Sequence, residues 1–476
     1  MEKKPLKLNI RRTALIGFAF FGILLLWQVY DSWCPTVLTD IFARRMYGIS
    51  SAELKAGDPE KILNVQWLVG IIMALDNLAA LILLPIFGRL SDKTKTPIGK
   101  RMPYILVGTL VSAVAFPFIP LFFHANNIAG MVIMMAIVLM FKMMNRNPAV
   151  ALMPDITPKP LRAKANGNIN IMGYEGGAFA TVLGIFLKLS DYINVSDAAR
   201  KLWIIEIPFI VASVLMVISA LVLFVTIKEN KVEEEMKEEL EEGERLAAIA
   251  TPVTDDGPMS RENKQMLLAI LGAEFLWFMS DNALGTYMGN YVIYYLNSAS
   301  SNTMLLTIFG GLASVIGFAI AGSIADKIGR KWTISCGLGL TFLGLILMCF
   351  VGPSGRVVGA NGEFAFPVLL YAVGVIRGFG MALVHNCSFP MVVELCSSKQ
   401  IGKFTGYYYT ASMSAQTVTP VLLGLFLNRT LAWKTLPVYT CLLTLCSFVV
   451  FTLLVKNIKA HKVDNAKGLE ALGDND

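Results

Sequence analysis

Twelve long apolar runs limit what this chain can fold into more than any other feature of the sequence. Each contains about 20 mostly apolar residues, the length that an α-helix needs to cross the hydrocarbon core of a bilayer. Such runs are too long for transmembrane strands and do not alternate as strands do. They cover residues 13–34, 62–88, 104–124, 128–147, 167–189, 203–227, 265–290, 303–325, 332–352, 366–387, 404–427 and 436–456.

Charge is correspondingly scarce. Only 16% of the 476 residues are charged, against about 25% in a typical soluble domain. We therefore predict an all-α polytopic membrane protein with 12 transmembrane helices. Lys and Arg concentrate in alternate loops, on the side of the N-terminus, and positive loops mark the cytoplasmic side. This pattern predicts that both termini are cytoplasmic in a cell membrane, plasma or inner, and it explains the net charge of +7 without a nucleic-acid partner.

An acidic segment divides the twelve runs into two sets of six. We predict an N-terminal six-helix half over 1–227, a cytoplasmic linker over 228–263 and a C-terminal half with a cytoplasmic tail over 264–476. The linker contains many Glu residues and no apolar run, which is typical of a solvated connection. A regulatory docking site is the alternative.

A short charged motif occurs once in each half. GRLSDKTKTPIGKR (88–101) follows the second run, and GSIADKIGRK (322–331) follows the eighth. The same motif at the same place in both halves indicates a duplicated six-helix unit. Parallel halves with a binding site between them are one known plan for secondary transporters.

The motif resembles that of the major facilitator superfamily. Its extended first copy resembles the glycoside–pentoside–hexuronide:cation symporters and the sucrose-transporter-like carriers. Two further stretches, NRNPAVALMPDITPKPLRAKANGNINIMG (145–173) and FPMVVELCSSKQIGKFTGYYYTASMSAQTVTPVLLG (389–424), look like loops of the sucrose-transporter-like group. The resemblance implies a major facilitator fold, alternating access, a monomer, and neither an enzyme nor a cofactor or metal.

Ionisable residues inside the apolar runs are the first candidates for the transport site, because they are costly in a membrane and usually face the bundle interior. Asp76 lies near the middle of the second run and is followed by Asn77. A buried carboxylate that is held neutral suits a carrier that loads one proton, and a structural salt bridge is the alternative. The positions where melibiose-type carriers hold their cation-binding carboxylates are Ala80 and Leu84 here. We therefore expect H+ as the coupling ion, with Na+ left open.

Basic residues face these acids in both halves. Lys142 and Arg146 are four residues apart and share a helix face. They could neutralise Asp76, bind an anionic substrate or bind sugar hydroxyls; Arg146 could instead join Asp155 and Arg162 in a gate. The resemblance also places an Asp of plant sucrose transporters at Leu139, which excludes coupling through that residue. In the second half, Arg377 is the natural charge partner for Asp281.

Aromatic and amide residues complete the predicted substrate site. A carboxylate beside an indole suits a sugar, because hydroxyls bind the carboxylate and the ring stacks on C–H faces. Trp27 with Asp31, and Trp277 with Glu274 and Asp281, have that spacing, although Trp27 could also lie in an interfacial belt. The remaining candidates are Asn282, which follows Asp281, and Glu175, which lies opposite a stripe of Gly173, Gly177 and Thr181 that we expect to pack another helix.

The charged loops are candidate gates. Ion pairs that hold the two halves together on one side must break when that side opens, and fixing the topology is the alternative role. The predicted gating residues are Asp92, Lys93, Arg101, Asp155, Arg162, Asp326, Lys327 and Arg330.

These features predict a secondary transporter that carries a sugar or glycoside, with a disaccharide as the leading expectation, in symport with H+. A carrier of lysolipids or other amphiphiles is the first alternative. A transporter-like sugar sensor that signals through the acidic segment is the second.

Overall fold

The computed structural model describes residues 6–195, 201–250, 261–358, 362–393, 395, 401–428 and 431–456. The segments that could span a membrane number twelve among these residues, which confirms the prediction. In the first half they are built from α1 (Ile10–Tyr47), α3 (Glu60–Lys93), α4 (Met102–Ala115) with α5 (Phe118–His124), α6 (Ile128–Asp155), α7 (Arg162–Phe186) and α9 (Trp203–Thr226). In the second half they are α12 (Arg261–Asn290), α13 (Ser301–Ile328), α14 (Arg330–Cys349), α15 (Leu369–Val393), α16 (Ile401–Leu427) and α17 (Thr435–Leu454).

Shorter helices connect them. These are α2 (Ser51–Gly57), α8 (Leu189–Ile193), and the linker helices α10 (Glu229–Glu235) and α11 (Lys237–Ala250). Regular strands do not occur in the described part of the chain; its β-structure is one isolated bridge between Val357 and Phe364. We call the end of the bundle where α1 begins the terminal face, and the end where α1 finishes the opposite face.

The first helix is longer than its apolar run. The run was predicted to end at residue 34, whereas α1 continues through Pro35 to Tyr47. A proline inside a membrane helix is tolerated when neighbouring helices satisfy the freed backbone groups. The helix ends at Gly48, which has a left-handed φ of 76° and donates its N–H to the carbonyl of Arg44. The extension carries α1 into the contacts at the opposite face.

Helix packing repeats from one half to the other. In the first half α1 packs on α7 and α9, α3 packs on α6, and α4 packs on α6 and α9. The corresponding second-half helices make the same pairs: α12 with α16 and α17, α13 with α15, and α14 with α15 and α17. Contacts between the halves are made by α3 with α16, α7 with α13, and α1 with α12. The two six-helix halves are therefore copies of one plan.

Candidate functional site

A charged group lies inside the first half, where α1, α3 and α6 meet. The ammonium group of Lys142 lies 3.2 Å from the ring centroid of Trp27, a cation–π geometry. Lys142 is only 2% exposed, and its Nζ has no hydrogen-bond partner among the described residues. Asp31 and Asp76 both interact electrostatically with it. The structure thus brings Trp27, Asp31, Asp76 and Lys142 together.

The two acids have different surroundings. Asp76 is buried, and the Asn77 side chain donates to its Oδ1 at 2.7 Å. Asp31 lies within the bundle but lines an open cavity. Lys142 interacts electrostatically with both acids, and Arg146 interacts with Asp76 as well.

Tyr30 belongs to the same group and was not predicted. Its side chain is fully buried, its hydroxyl has no hydrogen-bond partner among the described residues, and it interacts electrostatically with Asp31 and Asp76. The sequence search weighed charged residues and overlooked a phenol on the same helix. The sequence feature that could have indicated Tyr30 is its position directly before Asp31.

Arg146 lies where the two halves face each other. It interacts electrostatically with Asp76 on α3 and with Tyr409 on α16. The alternative, a network of Arg146 with Asp155 and Arg162, stays a prediction. Arg162 interacts electrostatically with Asp155, and Asp155 also pairs with Lys100 and Arg101.

The second half contains the predicted ion pair. The Arg377 guanidinium on α15 donates to the Asp281 carboxylate on α12. The two side chains are 29% and 33% exposed, which is consistent with a hydrated interior. His385 interacts electrostatically with both partners.

A cavity of about 420 Å³ separates the two halves, within the usual range for small-molecule sites. Asp31 lines it from the first half and Arg377 from the second. The lining contains both hydrogen-bonding and apolar side chains. Its polar side chains are Gln28, Ser32, Thr36, Thr286, Ser300, Thr303, Thr307 and Ser314, and its apolar side chains include Leu187, Leu189, Met304, Leu345 and Met348.

Of the eleven predicted binding residues, Asp31 and Arg377 line this cavity, and three of the other nine belong to neither of the two charged groups described above. Trp277 is 1% exposed and lies in a buried apolar cluster of the second half, because the inner side of α12 faces α16 and α17 there; we therefore remove it from the candidate site. Glu175 is exposed and does not line the cavity. Asn282 is partly buried and is also absent from the lining.

The small-residue stripe on α7 is displaced by one position from the prediction. A Cβ added at Gly173 would meet Leu24, and one added at Gly176 would meet the backbone of Phe21, so these two glycines allow α1 to approach. Gly177 faces open space. Residues three and four positions apart lie on the same face of a helix, so the sequence alone could not show whether Gly176 or Gly177 contacts α1.

Polar contacts seal the opposite face between the halves. Thr36 donates to the Asn290 Oδ1 at 2.8 Å, and the Asn290 amide donates to Thr39 at 2.9 Å and to Gln66 at 3.1 Å. The Tyr287 hydroxyl donates to the carbonyl of Gln66 at 3.1 Å. We call these five residues the polar seal. They are neutral, so a search for charges in the membrane missed them; a glutamine or asparagine inside an apolar run was the available signal.

Close backbone contact and two further side-chain pairs reinforce the seal. A Cβ at Gly70 of α3 would collide with the carbonyl of Pro420 on α16, so the two helices cross at backbone distance. Also at the opposite face, Tyr294 donates to Ser51 at 3.0 Å, and the backbone N–H of Ser190 donates to Ser300 at 3.1 Å. These hydrogen bonds between described residues of the two halves lie at the opposite face.

The terminal face of the first half carries the charged loop. Arg101 pairs with Asp92 and with Asp155, the latter at 2.8 Å, and Lys100 approaches Asp155 at 3.4 Å. Lys93 is exposed and takes part in no described ion pair. The pairs therefore tie α3, α4 and α6 to one another within one half in this conformation.

The linker docks on the same loop. Glu229 is fully buried, and its carboxylate accepts the backbone N–H groups of Lys100, Arg101 and Met102 at 2.9–3.0 Å. Burial raises the pKa of this carboxyl, and the three hydrogen bonds act in the opposite direction. The expectation of a fully solvated linker is wrong for α10, because three orphan N–H groups at the start of α4 need an acceptor.

The second copy of the motif is built differently. Asp326 and Lys327 end α13, and Arg330 begins α14 after Gly329, whose φ is 86°. Neither Asp326 nor Lys327 forms an ion pair with another described residue. The gate roles of these residues stay predictions.

Comparison with known proteins identifies the family. The sequence profile described as MFS/sugar transport protein matches residues 62–400, whereas a search of the curated protein sequences finds no match. Among solved structures, the inward-open xylose transporter XylE from E. coli has 15% identity and a TM-score of 0.62, covering 97% of this chain and 98% of its own.

Two other transporters show the same fold. The nucleoside transporter NupG has 12% identity and a TM-score of 0.58, covering 94% of this chain and 99% of its own. A peptide transporter POT in complex with sulfate has 12% identity and a TM-score of 0.64, covering 97% and 96%. The profile match, the twelve spans and the repeated packing agree: this chain is a multi-pass membrane transporter of the MFS/sugar transport family.

Proposed function

We propose that the protein is a sugar or glycoside:H+ symporter that works by alternating access. The observation that carries this proposal is the cavity between the halves, which places Asp31 and Arg377 among hydroxyl and amide side chains. Sugars are recognised by such groups, because each ring hydroxyl can both donate and accept. The apolar side chains of the lining suit a ring face of a disaccharide or the aglycone of a glycoside.

The contacts at the two faces of the bundle support an inward-facing conformation. The polar seal closes the opposite face, and the ion pairs of the terminal face stay within one half. With the terminal face cytoplasmic, as the Lys and Arg distribution predicts, this is an inward-facing state of a plasma- or inner-membrane protein. The likeness to the inward-open XylE structure supports the same reading.

Proton coupling is assigned to the Asp31–Asp76–Lys142 group. Lys142 interacts electrostatically with both carboxylates, and Arg146 interacts with Asp76 as well. A proton bound by Asp76 therefore neutralises one acid of the group and leaves both cations in place. When Asp76 is protonated, Lys142 interacts with Asp31 as its remaining carboxylate, and Asp31 is the member of the group that reaches the cavity. Substrate and proton are thereby linked through one side chain.

Uptake into proteoliposomes tests the proposal. Labelled mono- and disaccharides are offered under an imposed pH gradient or an imposed Na+ gradient, with Asp76→Asn as the variant and Asp58→Asn, an exposed acid at the opposite face, as the matched control. The proposal expects one sugar to accumulate with inward H+, and expects Asp76→Asn alone to abolish accumulation while exchange continues. Accumulation driven only by Na+ would contradict H+ as the coupling ion. Transport of lysolipid but of no sugar would contradict the proposed substrate class.

A further inference from the structure

One carboxyl group of the second half is buried without a partner. Glu274 on α12 has no exposed surface, and neither of its carboxyl oxygens has a hydrogen-bond partner among the described residues. The residues one turn to either side, Ile270 and Trp277, belong to the buried apolar cluster of this half. Glu274 does not line the cavity between the halves, so the transport site does not account for it.

The helices around Glu274 offer it no cation among the described residues. From α16, Tyr408 interacts with it electrostatically, but the Tyr408 hydroxyl is hydrogen-bonded to Ser388 at 2.9 Å. From α15, His385 and Arg377 interact with Asp281 instead.

The other two neighbours of α12 are also uncharged near this point. α17 contains no charged residue and meets α12 through hydroxyl contacts such as Ser447 with the carbonyl of Ala273 at 2.9 Å. α1 meets α12 at Thr36 and Asn290, several turns away.

An ionised carboxylate in such surroundings is too costly to persist, because removing an unpaired charge from water costs several kcal/mol or more. We propose that Glu274 binds a proton in this conformation and is a second proton site, separate from the Asp31–Asp76–Lys142 group. Binding forms an O–H bond on the carboxylate with a proton taken from water, and release returns that proton to water.

The position of Glu274 links this proton to the conformation. The same helix carries Tyr287 and Asn290 of the polar seal, so the packing of α12 that buries Glu274 also presents the seal residues to α1 and α3. Release of the proton requires Glu274 to reach water, and therefore requires α12 to repack against α16. Protonation of Glu274 thus favours the sealed state. The role of Glu274 in coupling rests on the proposed function, whereas the proposal that Glu274 binds a proton does not.

Infrared spectroscopy of the purified protein tests the proton directly. The Glu274→Gln variant replaces the acid with a neutral group of the same shape, and Glu60→Gln, an exposed acid at the start of α3, is the control. We expect a carboxylic-acid C=O band at neutral pH that Glu274→Gln removes and Glu60→Gln keeps. An unchanged band in Glu274→Gln overturns the proposal. If Glu274→Gln fails to fold, Glu274→Met, which is also neutral, is measured in the same way.

A distance measurement tests the link to conformation. Spin labels on α2 and on the 354–358 segment report the width of the opposite face in the detergent-solubilised protein as pH is raised. We expect the wild type to open as Glu274 loses its proton, and Glu274→Gln to stay sealed at every pH. An identical pH response in the two proteins contradicts the link. A carboxylic-acid band at Glu274 with no sugar uptake would sink the proposed function and leave the proton site standing.

Discussion

Single charged residues in the membrane could be found from the sequence, but only some of their partners could. Arg377 and Asp281 were matched because the second half offers few alternatives of opposite sign. Lys142 was expected to face Asp76; that it also faces Asp31 and lies on the Trp27 ring depends on how α1 and α6 cross. Neutral partners such as Tyr30 and Asn290 had only a weak signal in the sequence, since polar residues without charge occur in most spans.

At the scale of single residues, we predict that breaking the Arg377–Asp281 pair lowers the stability of the protein. In Asp281→Asn the guanidinium keeps its charge and loses its counter-charge, so we expect a loss of stability of about 1–3 kcal/mol, less than for a fully buried pair because both side chains are about a third exposed. The double variant Asp281→Asn with Arg377→Gln removes both charges and should regain most of this stability without regaining transport. Thermal unfolding in detergent measures the first effect, and uptake measures the second.

The exposed pair of Glu262 and Lys456 provides the control. Its side chains are 70% and 73% exposed, and pairs on the surface contribute little to stability. Glu262→Gln should therefore leave the unfolding temperature within error. A wild-type unfolding temperature for Asp281→Asn would show that the pair seen here adds nothing to stability.

At the scale of elements, length and apolarity determined the helices, whereas their contacts with charged segments could not be predicted. The linker 228–263 was expected to be solvated because it contains many Glu residues and no apolar run. Its buried acid Glu229 accepts hydrogen bonds from backbone groups more than a hundred residues earlier in the chain. Composition describes the average residue of a segment, and this contact is made by a single residue of α10.

Removing the Glu229 carboxylate should loosen the charged loop. In Glu229→Ala the N–H groups of Lys100, Arg101 and Met102 lose their acceptor, and a buried unpaired donor costs about 1–3 kcal/mol. We expect a lower unfolding temperature and faster tryptic cleavage between residues 93 and 101. Glu235→Ala on the same helix, where the acid only faces Lys231 at the surface, is the matched control. Equal cleavage rates in the two variants would mean that Glu229 does not hold the loop.

At the scale of the whole molecule, the duplicated motif predicted the duplicated fold, and the repeated helix pairs bear this out. The functional parts do not follow the repeat. The first half holds two acids with Lys142 and Arg146, and the second holds one ion pair and the isolated Glu274. Among the described residues, the linker binds the first motif. Two halves of similar fold can rock against each other as rigid bodies, whereas the different charged residues inside them give the two halves different roles. Sequence symmetry could reveal the scaffold but not this division.

Rocking requires the opposite face to open, which a covalent bond between the halves would prevent. Ser190 lies in α8 of the first half and Ser300 directly before α13 of the second, and each donates its backbone N–H to the hydroxyl of the other at 3.1 and 3.2 Å. Cysteines at both positions, in a background with all seven native cysteines replaced by serine, should form a disulfide on oxidation. We expect uptake to fall to background, substrate binding from the terminal face to remain, and reduction to restore uptake. Ser190→Cys alone should be insensitive to the oxidant. Full uptake by the cross-linked protein would show that the halves do not separate at this point, and alternating access about the polar seal would have to be abandoned.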